Sequence, residues 1–191
     1  MLHREVNGME QNINGHTLEL KIGDITEEEA DAIINAANGS LMGGGGVDGA
    51  IHRAAGNRLS EECKQIRDEE LGGEHLGTGE AVITEGYLLP ASYVIHTVGP
   101  VWGGDESEKD ELLTNCYRHA LEIASDKRLG KICFPSISTG IYRFPVERAA
   151  SIAIGTIRRF LESHAHPSHV TMVLFSDSDY KAYAKAMKHF K

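Results

Sequence analysis

Hydrophobic and polar residues alternate along this chain in two different rhythms. Residues 17–22 alternate strictly between polar and apolar, which predicts a half-buried strand. Short apolar segments predict further strands over residues 31–36, 81–84, 93–98, 131–134 and 170–175. Between most of these segments, apolar residues recur every three or four positions, and this spacing predicts amphipathic helices.

Strands alternating with helices are typical of an α/β fold with a largely parallel sheet covered on both faces. Segments 81–84 and 93–98 follow each other without a helix, so we expect a mixed sheet. The 191 residues suffice for one domain with its own core and are too few for two comfortable ones. Residues 1–15 carry weak patterning and end at the turn signal Asn14-Gly15. We therefore expect a loose N-terminal arm over residues 1–15 and a single domain over residues 16–191.

Composition narrows the classes of protein to which the chain can belong. Hydrophobic residues make up 41% and charged residues 25%, which is ordinary for a globular protein. No apolar segment approaches the roughly 20 residues of a membrane helix, and no secretory signal precedes the domain, so we expect a cytoplasmic protein without a membrane partner. The three cysteines are far apart, which favours reduced thiols. The net charge of −9 and the lack of a basic run argue against a nucleic-acid partner, but not against a nucleotide held by backbone amides.

Four consecutive glycines, Gly43 to Gly46, lie between a predicted strand and a predicted helix that ends at Gly56. Glycines expose backbone N–H groups and a helix N-terminus attracts anions, so this segment predicts a phosphate site. The alternative is a flexible surface turn. The spacing Gly44-x-Gly46-x-x-Gly49 formally matches a dinucleotide fingerprint, but residues 38–43 intervene after the strand and no suitable acid follows, so we reject that site.

Two other segments follow predicted strands, where ligands bind in sheets of this kind. Residues 135–142 offer small hydroxyl groups and a glycine, which can donate hydrogen bonds to a second phosphate. Asp24, in Gly23-Asp24-Ile25, can accept a hydrogen bond from an adenine amino group or can stabilise a turn, and the tripeptide does not decide between these roles.

The histidines are weaker candidates. His164-x-His166-x-x-His169 has the spacing of a metal cluster, but the polar turn around Pro167 favours a solvated loop, and we predict no metal site. We expect His96 to be a buried residue of its strand.

Together these motifs resemble the macrodomain family, and specifically its MacroD-type branch. The resemblance extends over about residues 17–190, in order and at the family's usual spacing. The matching segments are Gly23-Asp24-Ile25-Thr26, Asn35-Ala36-Ala37-Asn38, residues 43–56, Gly77-x-Gly79-Glu80-Ala81, His96-Thr97-Val98-Gly99-Pro100 and residues 135–142. The chain departs from the family at Arg143-Phe144, where glycine and tyrosine are more usual, which puts the rim of the distal-ribose end in doubt.

The resemblance implies that residues 16–191 form a three-layer α/β/α macrodomain fold with a six-stranded mixed, largely parallel sheet. It also implies a monomer that binds ADP-ribose. The MacroD-type reaction removes mono-ADP-ribose from acidic side chains of proteins, or acetyl from O-acetyl-ADP-ribose, by a metal-independent hydrolysis without a cofactor. The expected partners are therefore ADP-ribose, its esters and mono-ADP-ribosylated proteins.

The resemblance also implies roles for individual residues. Asp24 would bind the adenine amino group beside the backbone of Ile25, with Phe175 against the ring. The diphosphate and distal ribose would be held by two loops, which contribute Gly45, Gly46 and Val47 on one side and Ser136, Ser138, Thr139, Gly140, Ile141 and Tyr142 on the other.

Asn38 and Asp48 are the expected catalytic residues at the distal ribose. We hypothesise that the Asn38 amide fixes a ribose hydroxyl and that Asp48 positions and polarises the attacking water. Each residue also has a simpler interpretation, Asn38 as a turn residue and Asp48 as a helix-start acid. A non-catalytic ADP-ribose-binding module is the main alternative function, followed by an RNA-associated regulator and a phosphatase acting on ADP-ribose-1″-phosphate.

Overall fold

The computed structural model describes residues 8–190, which form one seven-stranded sheet flanked by helices. The strands are β1 (Met9–Ile13), β2 (His16–Ile22), β3 (Ala32–Ala36), β4 (Ala81–Glu85), β5 (Tyr93–Thr97), β6 (Lys131–Phe134) and β7 (His169–Leu174). The helices are α1 (Gly46–Ala55), α2 (Asn57–Gln65), α3 (Glu106–Asp126), α4 (Val146–Ser163) and α5 (Asp177–His189). A short 3-10 helix, Ile25–Glu27, precedes β3, and a π-helical turn, Ile66–Glu70, extends α2.

The strand order across the sheet is β1-β2-β7-β6-β3-β5-β4. The five central strands are parallel, and β1 and β4 pair antiparallel at the two edges, so the predicted mixed, largely parallel sheet is confirmed. The parallel strands end at the same edge of the sheet, and the loops that follow β2, β3, β6 and β7 meet there.

The predicted count of six strands is wrong, because the sheet has seven. The seventh strand is β1, which lies within the segment expected to be a loose arm. Asn14 and Gly15 both have positive φ, 50° and 87°, so they form the tight turn that joins β1 to β2 as a hairpin. Residues 9–13 are therefore paired rather than loose. The first seven residues of the expected arm lie outside the described residues.

Two hydrophobic clusters cover the two faces of the sheet, which makes three layers. The larger cluster joins the sheet to α3, α4 and α5, with Tyr117, Phe134 and Tyr183 among its fully buried side chains. The smaller joins β3 and β5 to α1 and α2 through residues such as Ile33 and Leu59. Over residues 8–190, no helix combines the length and the apolar character needed to cross a membrane.

Side-chain oxygens cap the starts of α5 and of the 3-10 helix. Ser176 caps α5 by accepting a hydrogen bond from the Asp179 amide. Asp24 caps the 3-10 helix, because its Oδ1 accepts a hydrogen bond from the Thr26 amide. Gly56 ends α1 with a φ of 85°, a conformation that favours glycine.

Candidate functional site

A cavity of about 750 Å³ lies at the carboxyl ends of the parallel strands. This size is typical of a pocket for a small organic ligand. The loops after β2, β3, β5, β6 and β7 all contribute to its walls. Every predicted site residue lines it, namely Asp24, Ile25, Asn38, Gly45, Gly46, Val47, Asp48, Ser136, Ser138, Thr139, Gly140, Ile141, Tyr142 and Phe175.

The glycine segment forms one wall of this cavity and leads directly into α1. No side chain caps this helix at Gly45. Gly49 is the first residue whose N–H bonds back along the segment, to the Gly45 carbonyl. The N–H groups of residues 44–48 therefore have no hydrogen-bond partner within the described chain, and they lie where the helix dipole favours an anion.

Residues 136–142 form the opposite wall. The backbone N–H groups of residues 138–142 make no hydrogen bond to any described residue, although the Tyr142 carbonyl accepts a bond of 2.8 Å from the Trp102 amide. Successive free N–H groups in a turn create a concave site for an anion. The pocket thus presents two arrays of free backbone donors without a lysine or arginine among its lining residues.

Ser138 is held in an unusual state within this loop. Its φ is 67°, a left-handed conformation that costs a non-glycine residue about 1 kcal/mol or more. Its hydroxyl oxygen is buried and has no hydrogen-bond partner among residues 8–190. Strain and an unpaired polar group at one position are features that often mark a ligand site.

Ser136 and Thr139 line the cavity, but their hydroxyl groups are engaged within the protein. The Ser136 hydroxyl lies 2.7 Å from the hydroxyl of Tyr183, and Thr139 Oγ1 donates to Ser136 Oγ over 2.8 Å. Burial raises the pKa of Tyr183 to about 12, so this phenol stays protonated. These contacts fix the shape of the loop, and the free donors of the wall are its backbone amides and the Ser138 hydroxyl.

Asn38 and Asp48, the predicted catalytic residues, both lie beside Gly44. A Cβ atom at Gly44 would lie 3.1 Å from Asn38 Nδ2 and 3.4 Å from Asp48 Oδ2. The Asn38 amide donates to the Gly43 carbonyl over 2.8 Å, and its Oδ1 accepts a bond from Ser40 Oγ. The loop of Asn38 is therefore ordered by its own side chain, and the pair converges on one end of the pocket.

A chain of buried polar side chains lies behind Asp48. Asn35 Nδ2 donates to Asp48 Oδ1 over 2.8 Å and lies 3.1 Å from His96 Nδ1, and His96 Nε2 lies 2.9 Å from Thr84 Oγ1. Burial lowers the pKa of His96 to about 3, and nearby His52 adds to the shift. The expectation that His96 is a buried strand residue is confirmed, since it is fully buried in β5.

His52, one turn along α1 from Asp48, also borders this group. Its Nε2 lies 3.4 Å from Asp48 Oδ1 without hydrogen-bond geometry, and its Nδ1 lies 3.1 Å from Ser60 Oγ. Asp48 is only 5% exposed. The hydrogen bond from Asn35 holds its Oδ1, and its Oδ2 lies on the side of Gly44.

The far end of the pocket contains Asp24, Ile25 and Phe175. Asp24 Oδ1 accepts bonds from both the amide and the hydroxyl of Thr26, so the turn-stabilising role is confirmed for this oxygen. The second carboxylate oxygen is left for other donors. The Phe175 ring is 92% exposed, and Ile141 in the second loop, which lines the same cavity, is 83% exposed.

The rim near Tyr142 includes the position where the sequence departs from the expected pattern. Arg143 has a φ of 59° and is exposed, whereas Phe144 is buried against Trp102, with ring centroids 4.6 Å apart. Arg148 lies over the Trp102 ring and forms a bidentate pair with Asp110. The side chain of Phe144 thus anchors the rim, while that of Arg143 extends outward.

The histidines of the candidate metal cluster have separate surroundings. His164 stacks on Phe160 at 3.7 Å between ring centroids, and His169 pairs with Glu19 at 2.9 Å. Within residues 8–190, no group of three or more His, Cys, Asp or Glu side chains is arranged to hold a metal ion.

Sequence reasoning missed the partners of Asp48, although a signal was present. Asn35 interrupts the apolar strand β3 and is fully buried, and Thr84 is a buried polar residue of β4. A polar residue inside an apolar strand needs a buried partner. The identity of that partner depended on the strand register, in which Asn35 lies opposite His96.

Comparison with known proteins adds to this geometry. A family model for the Macro domain matches residues 34–153. A macro domain-containing protein from Methanosarcina mazei is 50% identical over 180 residues, which cover 94% of this chain and 92% of the relative. A mutant of the Oceanobacillus iheyensis macrodomain, solved with ADPR, superposes with a TM-score of 0.93 at 51% identity and covers 96% of this chain and 98% of its own.

A more distant structure has the same architecture. The Trypanosoma brucei macrodomain in complex with ADP-ribose superposes with a TM-score of 0.80 at 42% identity, covering 89% of this chain and 68% of its own. The three-layer fold, the mixed sheet and the family match agree, and this chain belongs to the macrodomain family.

Proposed function

We propose that this protein binds ADP-ribose in the cavity and hydrolyses esters of its distal ribose. The substrates are mono-ADP-ribose linked to acidic side chains of proteins and O-acetyl-ADP-ribose. The observation that carries the proposal is the convergence of Asn38 and Asp48 at one end of a cavity whose two walls are free backbone N–H groups. The ADP-ribose complexes of the related macrodomains support the identity of the ligand.

The order of the strands supports an extended ligand. The loop of Asp24 follows β2 and that of Asp48 follows β3, with β7 and β6 between them. Three strand spacings amount to about 14 Å. The adenine ring would lie near Asp24 and Phe175, the diphosphate between the two walls of free amides, and the distal ribose near Asn38 and Asp48. Backbone donors need no net positive charge, which agrees with the net charge of −9.

The arrangement of Asp48 supports hydrolysis more than recognition alone. Adenine and diphosphate contacts suffice to bind the ligand, and neither needs the buried Asp48 carboxylate at the Asn38 end of the pocket. Asp48 Oδ1 is held by Asn35, which leaves Oδ2 to accept a hydrogen bond from a water molecule and orient it. Water then adds its oxygen to the ester carbonyl carbon, and the bond from that carbon to the ribose oxygen breaks. The ribose oxygen takes up the proton that the water gives up, so the products are a carboxylic acid and a ribose hydroxyl. By holding the water close to the ester carbonyl and in the right orientation, Asp48 would lower the entropic part of the activation barrier.

The experiment is a product assay on two esters. Wild-type protein is incubated with a glutamate-linked mono-ADP-ribosylated protein and with O-acetyl-ADP-ribose, and released ADP-ribose or acetate is measured. Asn38→Ala and Asp48→Asn should lose at least about 100-fold in kcat, a loss typical of positioning groups. Asp126→Asn, which removes the charge of an exposed carboxylate at the end of α3, is the matched control and should keep wild-type activity.

Calorimetry with ADP-ribose separates the two main outcomes. Tight binding by a wild-type protein that releases no product from either ester would contradict the hydrolase and leave a non-catalytic binding module. Absence of binding would contradict both. Release of phosphate from ADP-ribose-1″-phosphate in a parallel assay, with no cleavage of the esters, would instead indicate the phosphatase.

A further inference from the structure

The polar chain behind Asp48 crosses three strands of the sheet. Asp48 belongs to α1, Asn35 to β3, His96 to β5 and Thr84 to the edge strand β4. Successive polar atoms are separated by 2.8, 3.1 and 2.9 Å. Asn35, His96 and Thr84 are at most 2% exposed, so water does not compete for the hydrogen bonds between them.

The donors and acceptors of the chain can be assigned in only one direction. Asn35 Nδ2 donates to Asp48 Oδ1, so the Asn35 amide turns its NH₂ group toward Asp48. The same nitrogen faces His96 Nδ1, which must then be the acceptor, and the neutral ring carries its proton on Nε2. Nε2 donates to Thr84 Oγ1, and that hydroxyl donates to the backbone carbonyl of Glu85 over 3.1 Å.

The depressed pKa of His96, about 3, agrees with this assignment. A protonated ring would point an N–H at the Asn35 NH₂ group, and both would be donors. His96 therefore has one tautomer and one charge state throughout the neutral range, and it acts as a fixed hydrogen-bond acceptor.

Stability alone does not explain this group of side chains. Asn35 Oδ1 is buried and has no hydrogen-bond partner among residues 8–190, and an unpaired buried acceptor is destabilising. The surrounding residues, such as Ile33, Val94 and Cys63, form an apolar cluster into which apolar side chains would fit without that cost. Cys63 Sγ lies 3.9 Å from His96 Nε2 and contributes at most a weak contact.

We propose that His96 and Thr84 are positioning residues, which fix the rotation of the Asn35 amide and through it the Asp48 carboxylate that orients water. This inference rests on the proposed hydrolase function. Neither residue lines the pocket, so neither touches the ligand. Their effect should therefore fall on the chemical step and leave binding unchanged.

Thr84→Val and Thr84→Ser form the central pair of variants. Valine has nearly the shape of threonine but leaves the His96 N–H without an acceptor, whereas serine keeps the hydroxyl. We expect Thr84→Val to lower kcat for O-acetyl-ADP-ribose about tenfold, with KM and the Kd of ADP-ribose unchanged, and Thr84→Ser to restore most of the activity. His96→Gln, which can offer an acceptor and a donor, should retain more activity than His96→Leu.

Thr156→Val is the matched control. Thr156 is also a buried threonine, lies on α4 on the other face of the sheet, and has no partner for its hydroxyl within the described chain. This variant should keep the wild-type kcat. If Thr156→Val and Thr84→Val lose activity equally, or if Thr84→Val loses binding in proportion to kcat, then the effect is structural and the proposal is wrong.

Nitrogen NMR of the histidine rings tests the assignment without any activity measurement. The His96 ring should be a neutral Nε2–H tautomer from pH 8 to pH 5, and an Nδ1–H tautomer would overturn the proposal. The outcomes also separate the two proposals. An inactive wild type contradicts the hydrolase itself, whereas an active wild type with a fully active His96→Leu variant contradicts only the positioning role.

Discussion

Gly99 and Ser138 are in direct contact across the end of β3, so closely that a Cβ atom at Gly99 would collide with the Ser138 hydroxyl oxygen. The same Cβ would lie 2.8 Å from Ile137 Cγ2. Gly99 follows β5 and Ser138 follows β6, so two separate connections of the sheet hold the second donor loop in place. The loop cannot keep its position if Gly99 acquires a side chain.

Gly99→Ala should therefore weaken ADP-ribose binding about tenfold, equivalent to ~1.4 kcal/mol, because residues 138–142 move away from the diphosphate. Calorimetry of ADP-ribose binding to Gly99→Ala, Ser138→Gly and the double variant measures the coupling free energy between the two positions. Removing the Ser138 side chain first should reduce the effect of Gly99→Ala. Purely additive losses would show that the contact does not control the loop.

Phe175→Ala should weaken ADP-ribose binding by about 1–3 kcal/mol, the usual contribution of an aromatic ring stacked on a base. Because the ring is 92% exposed, the free energy of unfolding should barely change. Leu88→Ala removes another exposed apolar side chain outside the pocket and should leave affinity unchanged. Equal affinities for wild type and Phe175→Ala would contradict the placement of the adenine ring.

Tyr183→Phe should destabilise the protein by about 1 kcal/mol, because the variant loses the hydrogen bond between the Tyr183 and Ser136 hydroxyl groups. Urea unfolding measures this difference. Tyr93→Phe is the control, since the Tyr93 hydroxyl makes no hydrogen bond to any residue between 8 and 190. A loss of equal size in both variants would mean that the Ser136 contact is not the cause.

The free energy of unfolding should fall as the pH is lowered, because His96 is buried in its neutral form. The pKa of this histidine is about 3 in the folded protein and near 6.5 when the chain unfolds, so between these values the unfolded state binds the additional proton. The contribution of His96 to the free energy of unfolding has its full value above pH 6.5 and decreases toward pH 3. The expected loss between pH 7 and pH 5 is about 2 kcal/mol.

His96→Gln removes this contribution, so its unfolding free energy should depend less on pH than that of the wild type. Urea unfolding at pH 7 and pH 5 measures the difference between the two proteins, in which the contributions of other titrating groups cancel. Parallel pH profiles would mean that His96 titrates normally in the folded state.

The elements that could be predicted from the sequence are those whose signal is local. Hydrophobic periodicity located the buried strands and the helix that Gly56 ends, and the four glycines marked the donor wall. The β1 strand was missed because an edge strand needs apolar residues on only part of one face, and the Asn14-Gly15 turn was interpreted as a boundary rather than a hairpin.

The parts of the site that could not be predicted depend on contacts between distant segments. Ser136 has the right residue type for a ligand donor, but its hydroxyl is paired with Tyr183, 47 positions away. The link from Asp48 to Thr84 depends on the register of two strand pairs. Residue type and spacing therefore indicated the pocket, whereas the three-dimensional pairing determined which atoms are free in it.

The position of β7 in the sheet has a consequence for biosynthesis. This strand is the last along the chain, yet it lies between β2 and β6, and Phe175 follows it directly. Residue 175 must leave the ribosomal exit tunnel before the walls of the cavity can come together. Before that point the cavity is incomplete, so a ligand that binds in it can stabilise only the folding steps that follow the insertion of β7 between β2 and β6.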